Sequence, residues 1–264
     1  MHKKTIALLV LAGLLPFAAH AHRTWLLPSS TVVDGKEPWV TIDAAVSENL
    51  FDFDANALKL DDLAVLGPDG ARVTPENPHT GRLRSSFDLR LAKPGTYKAS
   101  IVTESIQATY KLNGETKRWR GSLAAFPRDL PAGAEEVRAT RLYNRLDTFV
   151  TAGKPNDGAL KPSGVGLEML PITHPNELTA GEKATFRFLV DGKPAANLSL
   201  SVLPGGVRYR GTLNELRLTT DAEGRFTVPW PHAGMYWISA TYPAASQQAE
   251  RRLNYAATLE VLPE

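Results

Sequence analysis

The stretch Ile106-Gln107-Ala108-Thr109-Tyr110-Lys111-Leu112-Asn113-Gly114-Glu115-Thr116-Lys117-Arg118-Trp119 decides the fold class. Two strand-like runs flank an Asn-Gly pair. Both turn residues tolerate positive φ, so the pair predicts a tight hairpin. The same grammar runs outward in both directions. Upstream, residues 39–44 alternate, residues 63–66 run into the turn Gly67-Pro68-Asp69-Gly70, and residues 83–91 alternate in part. Ala92-Lys93-Pro94-Gly95 then turns into a run over residues 96–102. Downstream, residues 184–190 alternate around Phe186 and Phe188 up to Asp191-Gly192, and residues 198–203 are expected to pair after that turn. Residues 216–219 and 225–228 flank Thr220-Asp221-Ala222-Glu223-Gly224 as a further hairpin, and residues 234–242 and 253–262 close the series. Helical period is scarce. Residues 135–146 read as a short helix or, with 143–151, as a strand; period does not separate the two.

These runs predict an all-β chain of two tandem immunoglobulin- or prealbumin-like β-sandwiches. The expected division is a signal peptide over 1–21, an N-terminal sandwich over 22–125, a connector over 126–163 and a C-terminal sandwich over 164–264. Pro127, Pro131 and Gly133 mark the start of the connector, and the Gly-, Pro-, Asn- and Ser-rich residues 153–166 mark its end.

Lys3 and Lys4, the apolar residues 6–15, Pro16 and Ala19-His20-Ala21 have the three-part layout of a secretory signal. The apolar run is too short for a stable bilayer-spanning helix. The expectation is therefore a periplasmic protein. No Cys follows the cut, so a lipoprotein anchor is not expected. The 264 residues contain no Cys at all, which excludes disulfides, thiolate metal sites and a cysteine nucleophile. Removing residues 1–21 takes away two lysines and leaves a formal charge of zero, which argues against a nucleic-acid partner.

Cleavage after Ala21 makes His22 the first residue. A free α-amine and ring Nδ1 on one residue close a chelate on one ion, and a second imidazole would complete a T-shaped nitrogen set suited to Cu(II) or Ni(II). His174 is the preferred second ligand, since Pro175 holds its backbone extended. His79 and His232 are further candidates, although an imidazole in a polar loop is ordinarily just solvated. Glu48 and Asp52, in an acidic cluster with Asp54, offer oxygen ligands. There is no His-Glu-x-x-His spacing, serine-nucleophile elbow or phosphate loop. Arg118, Arg120, Arg208 and Arg210, beside Trp119 and Tyr209, read as strand-edge charge or as a grip for an anionic chelate or glycan.

Several blocks resemble a bacterial periplasmic family of unknown function, often labelled the periplasmic component of a nickel or cobalt transport system. They are His22-Arg23-Thr24-Trp25-Leu26-Leu27-Pro28, residues 166–175 with Leu178 and Gly181, Val190-Asp191-Gly192-Lys193-Pro194, and residues 220–226 with Gly234-Met235-Tyr236-Trp237. The last pattern is also similar to prealbumin-like repeats. Arg23 departs from the family, whose second position is often acidic. The resemblance implies a transition metal, nickel or cobalt, to which the chelate geometry adds copper, and an inner- or outer-membrane metal transporter as partner. The alternatives are a copper oxidase of the polysaccharide-cleaving type, which also uses an N-terminal His, and a metal-free module that binds protein or glycan.

Overall fold

The computed structural model describes residues 22–244 and 246–264; the expected signal peptide lies outside them. Strand makes up 54% of the described residues, whose helices are single turns at Phe126–Asp129, Val207–Arg210 and, as a 3₁₀ turn, Gly158–Leu160. The all-β class follows. Asn113 and Gly114 both take positive φ, as do Asp191 and Gly192, which is the backbone these hairpin turns require.

The strands form three sheets. A five-stranded sheet contains Arg23–Pro28, Trp39–Ser47, Asn56–Ala57, Glu76–Thr80 and Ser85–Arg90. A four-stranded sheet contains Leu167–Pro171, Lys183–Val190, Lys193–Pro194 and Arg225–Pro229. Between them runs a ten-stranded sheet. Its long members are Gly95–Leu112, Glu135–Ala152, Gly234–Tyr242 and Arg251–Val261.

Strand alternation then decides the layering. In Glu135–Ala152, Leu146, Val150 and Ala152 enter one core with Ile42, Phe87 and Leu89 of the five-stranded sheet. Tyr143 and Phe149 enter the other core, with Phe186, Phe188 and Phe226 of the four-stranded sheet. Successive side chains of a strand point to opposite faces, so the two smaller sheets cover opposite faces of the large one. A third cluster of Trp25, Ala45, Leu50, Leu203 and Val207 joins the first strand to the C-terminal half.

Several expectations are corrected here. The connector over 126–163 contains Glu135–Ala152, which is strand throughout and pairs antiparallel with Gly95–Leu112 and parallel with Arg251–Val261. It supplies wall residues to the N-terminal core, so that sandwich does not close within 22–125. Residues 96–102 and 106–112 belong to one 18-residue strand. Ser199–Pro204 does not pair with Lys183–Val190 but crosses to the large sheet, where it pairs with Leu216–Thr219 and Gly234–Tyr242. Residues 220–224 are therefore a sheet-to-sheet crossing, not a hairpin. Buried Thr220 holds that crossing: its hydroxyl donates to the Ala195 carbonyl and accepts from the Leu198 N–H at 2.8 Å.

Candidate functional site

The first strand fixes where His22 sits. Trp25 and Leu26 are both fully buried, on opposite faces of Arg23–Pro28. Trp25 Nε1 donates to Ser47 Oγ at 2.8 Å, and Trp237 Nε1 donates to the Thr24 carbonyl at 2.9 Å. Antiparallel pairing sets Arg23 opposite Ser47, so His22 comes to lie beside Glu48. The exposed His22 Nε2 is 3.8 Å from Glu48 Oε1, and Arg23 Nη1 donates to the Glu48 carbonyl at 2.9 Å.

Asp54 is occupied with holding this turn. It accepts from the N–H groups of Glu48 and Asn49 and from Asn49 Nδ2. Burial pushes its carboxyl up, but these donors outweigh that and hold it below the ordinary aspartate value.

His174 is not the second ligand. Its Nδ1 accepts from the Asn176 N–H at 3.2 Å, which leaves the proton on Nε2 to donate to Thr96 Oγ1 at 3.0 Å. Thr96 also accepts from the Asn156 N–H, so its hydroxyl donates to Thr151 Oγ1, which in turn donates to Asn176 Oδ1. Both ring nitrogens are thus used, Nδ1 within its own loop and Nε2 in tying that loop to the large sheet. Burial pushes the His174 pKa down, against Asn156, Glu177 and Asp157. Distance gives the same answer. Thr96 holds His174 and Thr103 lies in the groove of His22, and these two are roughly 23 Å apart along one strand.

The remaining candidates scatter. His79 is exposed on the edge strand Glu76–Thr80, opposite Ser86. His232 and Asp52 line a separate cavity of about 710 Å³, walled largely by apolar groups including Leu27, Leu50, Phe51 and Met235. Arg208 and Arg210 sit on the single-turn helix, not on a strand edge. Among the described residues no three His, Asp or Glu side chains converge as a metal-ligand set. Of the candidates among the described residues, His22 and Glu48 come within 3.8 Å of each other, and His232 and Asp52 share the apolar cavity.

His22 opens onto a groove of about 690 Å³ on the large sheet. Its floor is a row of polar side chains across four neighbouring strands. Asn144 Nδ2 donates to Thr103 Oγ1 at 3.1 Å, Asn254 Nδ2 donates to Asn144 Oδ1 at 2.8 Å, and Thr241 Oγ1 donates to Asn254 Oδ1 at 2.9 Å. Sequence reasoning missed this row. Its one visible signal is asparagine in mid-strand, where that residue is disfavoured.

Behind the groove lies a buried ion group. Arg145 is 3.5 Å from Glu168 and 4.0 Å from Asp147, and all three are nearly fully buried. Glu168 also accepts from the Ser163 and Gly164 N–H groups.

These features define a multi-sheet β-sandwich protein with a histidine at the mouth of a polar groove. The chain belongs to the family described as a domain of unknown function, DUF4198, which matches residues 19–244. No curated protein matches it significantly. Among solved structures, the D0–D1 domain of intimin is similar at 13% identity over 90% of this chain and 97% of its own, with a TM-score of 0.23. Trypsin-activated alpha-2-macroglobulin from Escherichia coli is similar at 14% identity over 93% of this chain and 16% of its own, with a TM-score of 0.24. The D1–D4 ectodomain fragment of ICAM-5 is similar at 12% identity over 91% of this chain and 51% of its own, with a TM-score of 0.23. The chain thus spans a small part of the second protein and about half of the third. Likeness at these scores carries no inference to activity or partner.

Proposed function

We propose that the mature protein is a non-catalytic periplasmic carrier that holds a transition metal (nickel, cobalt, copper or iron) through the amine and imidazole of His22 and passes it to a membrane uptake system. The observation that carries this reading is the pairing of His22 with Glu48 on a strand locked by Trp25. An amine–Nδ1 chelate leaves Nε2–H free. The Glu48 carboxylate, 3.8 Å away, is placed to orient that ring, as carboxylates commonly do behind a metal-bound imidazole. Two nitrogen donors with open positions around them suit a cargo ion that must leave. The layout of residues 1–21 supports export, and the family resemblance supports metal handling.

The test is titration of protein beginning at His22 with Cu(II), Ni(II), Co(II) and Zn(II), beside protein carrying one extra residue before His22. Tight binding only by the first supports the reading; equal affinity of the two excludes the amine chelate. Glu48→Gln should weaken binding by about 10- to 100-fold. Affinity should fall as pH drops, because protons compete for the amine, whose unperturbed pKa is about 7.7–8.0. Peroxide release with a reductant and copper would instead favour the oxidase alternative.

A further inference from the structure

Beyond the polar row, the same face of the large sheet becomes strongly basic. Cross-strand register places Arg118 and Arg138 on either side of Thr109, and Arg120 and Thr140 on either side of Gln107. Directly opposed residues share a face, so all of these side chains stand together. Arg252 joins them in lining a groove of about 700 Å³, which Arg120 shares with the groove of His22.

None of the four arginines is ion-paired among the described residues. Arg252 Nη2 donates to the Gln247 carbonyl, and its Nε is buried without a partner. Edge protection accounts for Arg118 and Arg120, which lie on Glu115–Gly121. It does not account for Arg252, which sits opposite Leu142 in the parallel ladder with its Nε buried rather than out at a free edge.

We infer that this groove binds a small organic anion carrying two or more carboxylates and a hydroxyl. The volume lies within the range of small-molecule sites. Guanidinium forks match planar carboxylates in bidentate fashion, and Arg118 and Arg138 stand two strand spacings apart, about 10 Å, which leaves room for an anion between them. None of the four guanidinium groups is held in an ion pair, and Glu136, whose charge reaches Arg138, is itself paired with Lys111, so the groove favours a multivalent partner over a monovalent one. Thr140 Oγ1 already donates to the Ala249 carbonyl, so its free lone pairs and the Gln107 amide are left for a ligand hydroxyl.

The test uses the full mature chain in chelator-treated buffer, extended by one residue before His22, so that its outcome is independent of the metal reading. Citrate is titrated calorimetrically, with pyrophosphate and acetate as comparators. Citrate should bind saturably and much more tightly than acetate, and less tightly as salt is raised. Arg120→Ala and Arg138→Ala should each weaken binding by about tenfold or more, while Arg208→Ala on the distant helical turn leaves it unchanged. No citrate binding at low millimolar concentration overturns the assignment. So does an equal loss in Arg208→Ala, or binding of pyrophosphate but not citrate.

Discussion

Residue by residue, most of the blocks that carry the family resemblance resolve into structural roles. Trp25 and Leu26 are core, and Glu168 anchors the 163–164 turn and Arg145. Gly166 has φ +78°, and a Cβ there would meet the Tyr143 ring at 2.3 Å, so the position requires glycine. His174 is the instructive case. Its place beside Pro175 in a resembling block made it a ligand candidate, yet both nitrogens are spent on structure. The structural role carries its own pH signature. The folded pKa lies below the ordinary 6.5. Above that pH the ring is neutral in both states. As pH falls, the unfolded chain takes the proton first, so stability is lost down through the folded value. Denaturant unfolding at pH 7.5 and 5.5 should show this loss in the wild type and a smaller one in His174→Asn. An unchanged pH dependence in the variant would exclude the role.

At the scale of elements, turns were legible in the sequence and partners were not. Asn113-Gly114 and Asp191-Gly192 announce their backbone by residue type. Nothing local announces that Arg141–Thr148 runs parallel to Arg251–Thr258, because that pairing depends on both cores being assembled. The approach of Glu48 to His22 was hidden for the same reason: it follows from the register of Arg23–Pro28 on Trp39–Ser47. That first strand is ladder-paired on one side only, and it relies on Trp25 and on the Trp237–Thr24 bond for the rest. Trp25→Ala should therefore cost about 3–5 kcal/mol and raise amide exchange over Arg23–Pro28 more than over Trp39–Ser47. Uniform protection across both strands in the variant would show that the strand is held by its ladder alone.

For the whole molecule, the two β-sandwiches that the sequence suggests share one large sheet. Two independent sandwiches would each own two sheets and melt separately. Here Glu135–Ala152 presents Val150 to one core and Phe149 to the other, so both cores draw on that strand. Phe87 belongs to the first core and Phe186 to the second, and each is essentially fully buried. Truncating either to Ala removes about 3–5 kcal/mol. At the size of this chain that lowers the unfolding midpoint by roughly 6–20 °C. If the shared strand couples the cores, each variant should shift one common calorimetric transition, with van't Hoff and calorimetric enthalpies still equal. Two transitions, of which Phe87→Ala moves one and Phe186→Ala the other, would mean that the cores fold independently despite the common sheet. The His22 site draws on both halves. His22 is placed by the first core and the Trp237 that holds its strand belongs to the C-terminal half, so a chain that melted in two steps would lose the His22 site at the lower one.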